Sequence, residues 1–96
     1  MPDASALKPF AKYLWWKTPE EAVARPDRLF AQVMDIGDYD DVQRLAALVG
    51  NGTLRRVLTK AESGQFNPRS WAYWHYRLGI VKPGESVPAM PRRVLE

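Results

Sequence analysis

The sequence predicts an all-α fold: a compact single-domain bundle of four to five short helices, with a helix-turn-helix-like pair and an extended Pro-rich C-terminal tail. Three observations predict it. Helix-start residues recur ahead of apolar runs, those runs repeat at helical spacing, and glycines follow them as stops. No segment alternates apolar and polar residues with the two-residue period of a strand pair, and no internal repeat is present. At 96 residues the chain has room for one core, and with 46% hydrophobic and 26% charged residues its composition is globular rather than disordered. Four Trp, four Tyr and three Phe make that core aromatic-heavy, since each such ring removes roughly 150–250 Å² from water.

Residues 1–8 read as a flexible N-terminus, 9–82 as the helical domain and 83–96 as the extended tail. Residues 9–16 are rich in apolar rings (Phe10, Tyr13, Trp15, Trp16, with Leu14) and dock on the body as a short helix or an extended strap. Thr18-Pro19-Glu20-Glu21 is a helix start: Thr18 caps, Pro19 suits the first helical position, and Glu21 completes a capping box. Pro26 opens the next helix, whose apolar face is Leu29, Phe30, Val33, Met34 and Ile36, with Gly37 as its stop. Asp38 caps a third helix carrying Val42, Leu45, Ala46 and Val49, and Gly50 ends it. Asn51-Gly52 is read as a tight turn into a fourth helix with Leu54, Val57, Leu58 and Ala61 on one stripe. Asn67-Pro68 starts a fifth that runs through Leu78 and stops at Gly79, with Trp71, Trp74 and Leu78 on its inward side. The expected core is Leu29, Phe30, Val33, Leu45, Val49, Leu54, Val57, Leu58, Trp71, Trp74 and Leu78. Pro83, Pro88, Pro91 and Gly84 then exclude a long helix.

The chain has no cysteine, which excludes disulfides, thiol catalysis and Cys-ligated zinc and fits a reducing cytoplasm. The first eight residues lack a signal-peptide core, and no run approaches the ~18 apolar residues of a membrane span, so a cytoplasmic location and no membrane partner are expected. The acidic group Asp35, Asp38, Asp40 and Asp41 misses calcium-loop spacing and is accounted for by caps and helix-dipole complementation. His75 has no second His or Cys to build a metal site, and no serine lies in the strained turn that exposes a nucleophile. No catalytic residue, metal ligand or cofactor is therefore assigned.

Charge is uneven. Residues 1–48 hold six Lys/Arg against eight Asp/Glu, and residues 49–96 hold eight against three. The split favours an anionic partner for the second half, or internal complementarity between acidic and basic helices. Within that half, Arg55, Arg56 and Lys60 on the fourth helix and Arg69, Tyr73, Tyr76 and Arg77 on the fifth form the candidate partner or nucleic-acid surface. Arg and Tyr suit interface centres, and the same residues can meet phosphates and stack bases, or simply face solvent. Leu45, Ala46, Val49 and Gly50 match the first helix and turn of a DNA-reading helix-turn-helix. Asn51 occupies the place where an apolar residue is usual, and Leu54, Val57 and Leu58 are displaced from it. Val87-Pro88-Ala89-Met90-Pro91-Arg92 has the Pro-x-x-Pro form of a polyproline ligand, and packing of this tail along the domain is the expected use.

Several of these features occur together: Trp15-Trp16-Lys17, Val33-Met34-Asp35-Ile36-Gly37, Asp40-Asp41-Val42, Leu45, Gly50, Val57-Leu58, and Arg69-Ser70-Trp71 with Trp74 and Leu78. Over residues 13–79 the pattern resembles a family of small bacterial antitoxin-like helical proteins encoded beside abortive-infection nucleotidyltransferase toxins. The resemblance implies a toxin-neutralising or regulatory role without catalysis, and a nucleotidyltransferase-type toxin as protein partner. The expected function is thus a non-enzymatic partner-binding protein, with a helix-turn-helix-like DNA-binding regulator as the alternative.

Overall fold

The computed structural model describes residues 4–91, with side chains from residue 6; the first three residues of the expected N-terminal segment and the last five of the tail, Arg92 among them, lie outside the described residues. Six α-helices follow in order: α1 (Ala4–Leu7), α2 (Pro19–Ala24), α3 (Pro26–Ile36), α4 (Tyr39–Val49), α5 (Asn51–Thr59) and α6 (Pro68–Arg77). A 3₁₀ helix, Lys8–Leu14, continues α1. No strand occurs among the described residues. The five helices expected from Thr18 onward are α2 to α6; the count of four to five is exceeded because residues 4–14 are helical as well. Within the segment expected to be flexible, Leu7 is buried and joins Phe10, Ala11 and Leu14 in the core.

The helix boundaries follow local chemistry. The Thr18 hydroxyl accepts from the Glu21 N–H (3.2 Å) while the Thr18 N–H donates to the Glu21 carboxylate (3.1 Å), completing the capping box of α2. Asp38 and Asn67 accept from Asp41 N–H (2.8 Å) and Ser70 N–H (2.9 Å) to cap α4 and α6. Gly37 ends α3 in extended backbone, where a Cβ would run into the Val33 carbonyl oxygen. Gly50 alone separates α4 from α5, at φ +83°, a conformation that L side chains rarely adopt. The expected Asn51-Gly52 turn is therefore displaced by one residue: both lie inside α5, and Gly50 makes the junction.

α3 is the centre of the bundle, touching the 3₁₀ helix and α2, α4, α5 and α6. Leu29, Phe30 and Val33 on it have no exposed surface. Around it pack Leu45, Leu54, Val57, Leu58, Trp71, Trp74 and Leu78, as expected, together with Phe66. Two residues differ. Val49 is half-buried at the margin of the core, and Ile36, the last residue of α3 and on its apolar stripe by spacing, is 49% exposed.

Two polar links lock this arrangement. The Trp74 indole N–H donates to the Met34 carbonyl (2.8 Å) in the buried seam between α6 and α3. Between the 3₁₀ helix and the start of α4 the Tyr13 hydroxyl donates to Asp41 (2.6 Å) and accepts from the Asp38 N–H (3.1 Å), while Lys12 pairs with the same carboxylate (2.8 Å). The Lys12 ammonium and the Tyr13 hydroxyl hold the Asp41 carboxyl below its ordinary value of 3.8, and burial and the same bond push the Tyr13 phenol up. The tail is anchored too: the Trp71 indole donates to the Pro88 carbonyl (2.7 Å), and Val87 and Met90 lie against the core.

Replacing Trp74 by Ala is expected to cost about 3–5 kcal/mol in urea denaturation, much of the stability of a small domain. Trp74→Phe, which keeps a ring but orphans the Met34 carbonyl, should cost about 1–3 kcal/mol. Asp41→Asn should cost about 1–2 kcal/mol at neutral pH. Because the folded carboxyl is depressed, its contribution is complete above the ordinary value of 3.8 and lost as pH falls through the lower folded value. Acid titrations of unfolding should show the gap between the two proteins closing below that point, and a gap unchanged with pH would remove the assignment.

Candidate functional site

The structure divides six of the seven residues of the expected surface into three pairs and leaves Arg69 apart, instead of gathering them. Arg56 turns toward α3 and pairs with Asp27 (2.6 Å), and Lys60 borders a hollow beside the same residue. The Arg55 Nε donates to the Leu78 carbonyl (3.0 Å), so this cation closes the C-terminus of α6, where the helix dipole favours it. Tyr76 donates to the Glu85 carbonyl (2.5 Å) and pins the tail to the same end. Arg69 is exposed in the first turn of α6, with no hydrogen bond or ion pair among the described residues.

Tyr73 and Arg77 make the third group, and they lean toward α4. Arg77 donates to the Tyr73 hydroxyl (3.0 Å) and to the Gln43 side chain. Its guanidinium lies 4.9 Å from the Trp74 ring centre and 5.9 Å from that of Tyr73. Stacked and hydrogen-bonded on two sides, this arginine is held in one orientation, which lowers the entropy lost when a partner meets it. Tyr73 stands edge-on to Trp74 and is 48% exposed.

Next to this pair is a shallow hollow of about 210 Å³ lined by Met34, Gly37, Tyr39, Val42 and Tyr73. Tyr39, at the start of α4, is 71% exposed, and Ile36 adjoins the Gly37 wall. Neither was expected at the surface site. Ile36 falls on the apolar stripe by spacing, and Tyr39 sits in a run of aspartates that reads as a helix start. A second exposed aromatic pair was also assigned to the body: Trp15 and Trp16 meet edge-to-face (4.5 Å between centres) and are 74% and 56% exposed. Two consecutive large rings on one turn cannot both point inward, and that was the available signal.

The remaining polar candidates are engaged in the fold. Asp35 accepts from Ser70 (2.5 Å) and from the backbone and side chain of Asn67 (both 2.9 Å), tying α3 to the cap of α6. His75 is buried, with Nδ1 donating to the Trp71 carbonyl (2.7 Å) and its ring 4.3 Å from that of Trp71. Among the described residues no three His, Cys, Asp or Glu side chains converge as a metal site would require, and no helix is long and apolar enough to cross a membrane. The α4–α5 junction has a single non-helical residue, shorter than the turn of about 3–4 residues in a DNA-reading helix-turn-helix. No protein-family model, curated protein or solved structure matches the chain.

Changing Arg77 to Met removes the guanidinium while keeping an unbranched chain over Trp74. Chemical denaturation should record a loss of about 1–2 kcal/mol, from the stacking and the bond to Gln43 together. An unchanged midpoint would mean that Arg77 is not held in this orientation.

Proposed function

We propose that the chain is a non-enzymatic partner-binding protein of the bacterial cytoplasm, the antitoxin or regulatory component of a toxin-antitoxin pair of the abortive-infection type. Its docking face is formed by Tyr39 on α4 with Tyr73 and Arg77 on α6, and its partner is a nucleotidyltransferase-type toxin. The observation that carries the docking face is the exposed tyrosine pair around an apolar hollow, beside an arginine already fixed by stacking. Tyr and Arg are the residues in which binding energy concentrates at protein interfaces, and preorganisation lowers the cost of using them. The toxin-antitoxin assignment is supported by the family resemblance over residues 13–79.

A DNA-binding role for α5 has less behind it. Arg55 and Arg56 are engaged by Leu78 and Asp27, and a recognition helix would have to release them before they could reach phosphates.

Co-expression with the protein encoded beside it tests the proposal. The pair should co-purify and the neighbour's toxicity should be relieved. Tyr39→Ala with Tyr73→Ala should weaken the complex by about 30-fold or more, with the circular dichroism of the free chain retained. Failure to co-purify and to relieve toxicity would overturn the reading. A shift of its own upstream duplex at low salt that is lost in Arg55→Ala/Arg56→Ala would favour the DNA-binding alternative.

A further inference from the structure

A second region of the surface combines aromatic and cationic groups, and it shares no lining residue with the Tyr39–Tyr73 hollow. Where the first turn of α3 meets the end of the 3₁₀ helix, Arg28 borders four adjoining hollows. One, of about 270 Å³, is walled by Trp16, Leu14, Lys17 and Gln65. Lys17 and Arg25 line the next, and Lys60 lies in the hollow beyond Asp27.

The charge here is unbalanced in a specific way. Of the carboxylates, Asp27 is neutralised by Arg56 at 2.6 Å, while Glu21, held by the Thr18 backbone, keeps its charge beside Lys17. Glu21 and Glu62 are left against Lys17, Arg25, Arg28 and Lys60, whose side chains make no hydrogen bond or ion pair within 4 Å among the described residues. Beside them stand Trp15 and Trp16, the most exposed indoles of the chain. Folding gains nothing from leaving two such rings in water, and unpaired cations beside them repel one another. A ligand that relieves both must carry flat apolar rings and repeated negative charge. A single strand of nucleic acid does: its bases stack on aromatic faces while its phosphates track the cations. A duplex hides its base faces. An anionic membrane surface also takes indoles beside cations, and vesicle binding is therefore one arm of the test.

We propose that this region binds single-stranded nucleic acid, with Trp16 stacking on a base and Lys17, Arg25 and Arg28 meeting neighbouring phosphates. The site is independent of the docking face on α4 and α6.

Titration of the full chain with short oligothymidylate and oligouridylate at low salt tests it. Trp71 and Trp74 are buried, so quenching of tryptophan emission reports on Trp15 and Trp16. Three phosphates neutralised on a single strand give a log–log salt slope of about −2. By anisotropy of a labelled strand, Trp16→Ala should lower affinity by about 5- to 100-fold and Arg28→Glu by about tenfold or more. Both variants should keep the wild-type circular dichroism and thermal midpoint, and Tyr39→Ala/Tyr73→Ala should bind the strand as wild type does. No quenching at low salt, binding indifferent to both Trp16→Ala and Arg28→Glu, or equal affinity for a duplex, a polyglutamate peptide or phosphatidylserine vesicles would each overturn the proposal.

Discussion

The hydrogen bond from the Trp74 indole to the Met34 carbonyl sets the geometry of the bundle. Met34 lies in the last turn of α3, where backbone carbonyls have no intrahelical donor. Gly37 N–H satisfies Val33 there, and the Met34 carbonyl, enclosed by the core, needs a donor from outside its own helix. An indole is one of few side chains that supplies a donor on an apolar body large enough to fill the space beside it. The bond therefore fixes where α6 crosses α3 and which way α6 is rotated.

That rotation decides the surface. With Trp74 and Trp71 inward, the neighbouring position Tyr73 must point out toward α4, and Arg77, one turn beyond Tyr73, follows it. The guanidinium then finds the faces of two rings, and its Gln43 contact completes the bridge to α4. A core requirement thus produces an ordered aromatic and cationic face without any residue being spent on ordering it. Asp35 reinforces the same crossing by accepting from Asn67 and Ser70 at the start of α6.

Helix ends were legible in the sequence because they are written in local chemistry. The capping box at Thr18, the caps at Asp38 and Asn67, the prolines at first-turn positions and the apolar stripes of α3 to α6 all depend on residues within four of one another. The site was legible only in part, because its members are sorted by long-range partners. Nothing near Arg55 or Arg56 announces that Leu78 and Asp27, 23 and 29 residues away, will take their charges. The exposure of Ile36 depends on the place where α3 stops, and the burial of Leu7 depends on a platform built by helices that come later in the chain.

The same sorting inverts the charge argument made from composition. The C-terminal half is basic on balance, yet Arg55, Arg56 and Arg77 are each drawn into bonds within the fold. The N-terminal half is acidic on balance, but its carboxylates are largely consumed: Glu21 and Asp38 in caps, Asp27 by Arg56, Asp35 by the start of α6, Asp41 by Lys12 and Tyr13. Lys17, Arg25 and Arg28 make no close ion pair among the described residues and stand beside two exposed indoles. Net charge along the chain counts every residue equally, whereas recognition depends on the charges folding has not already used. Lys17, Arg25 and Arg28 are such charges, and they lie in the half of the sequence whose formal balance is negative.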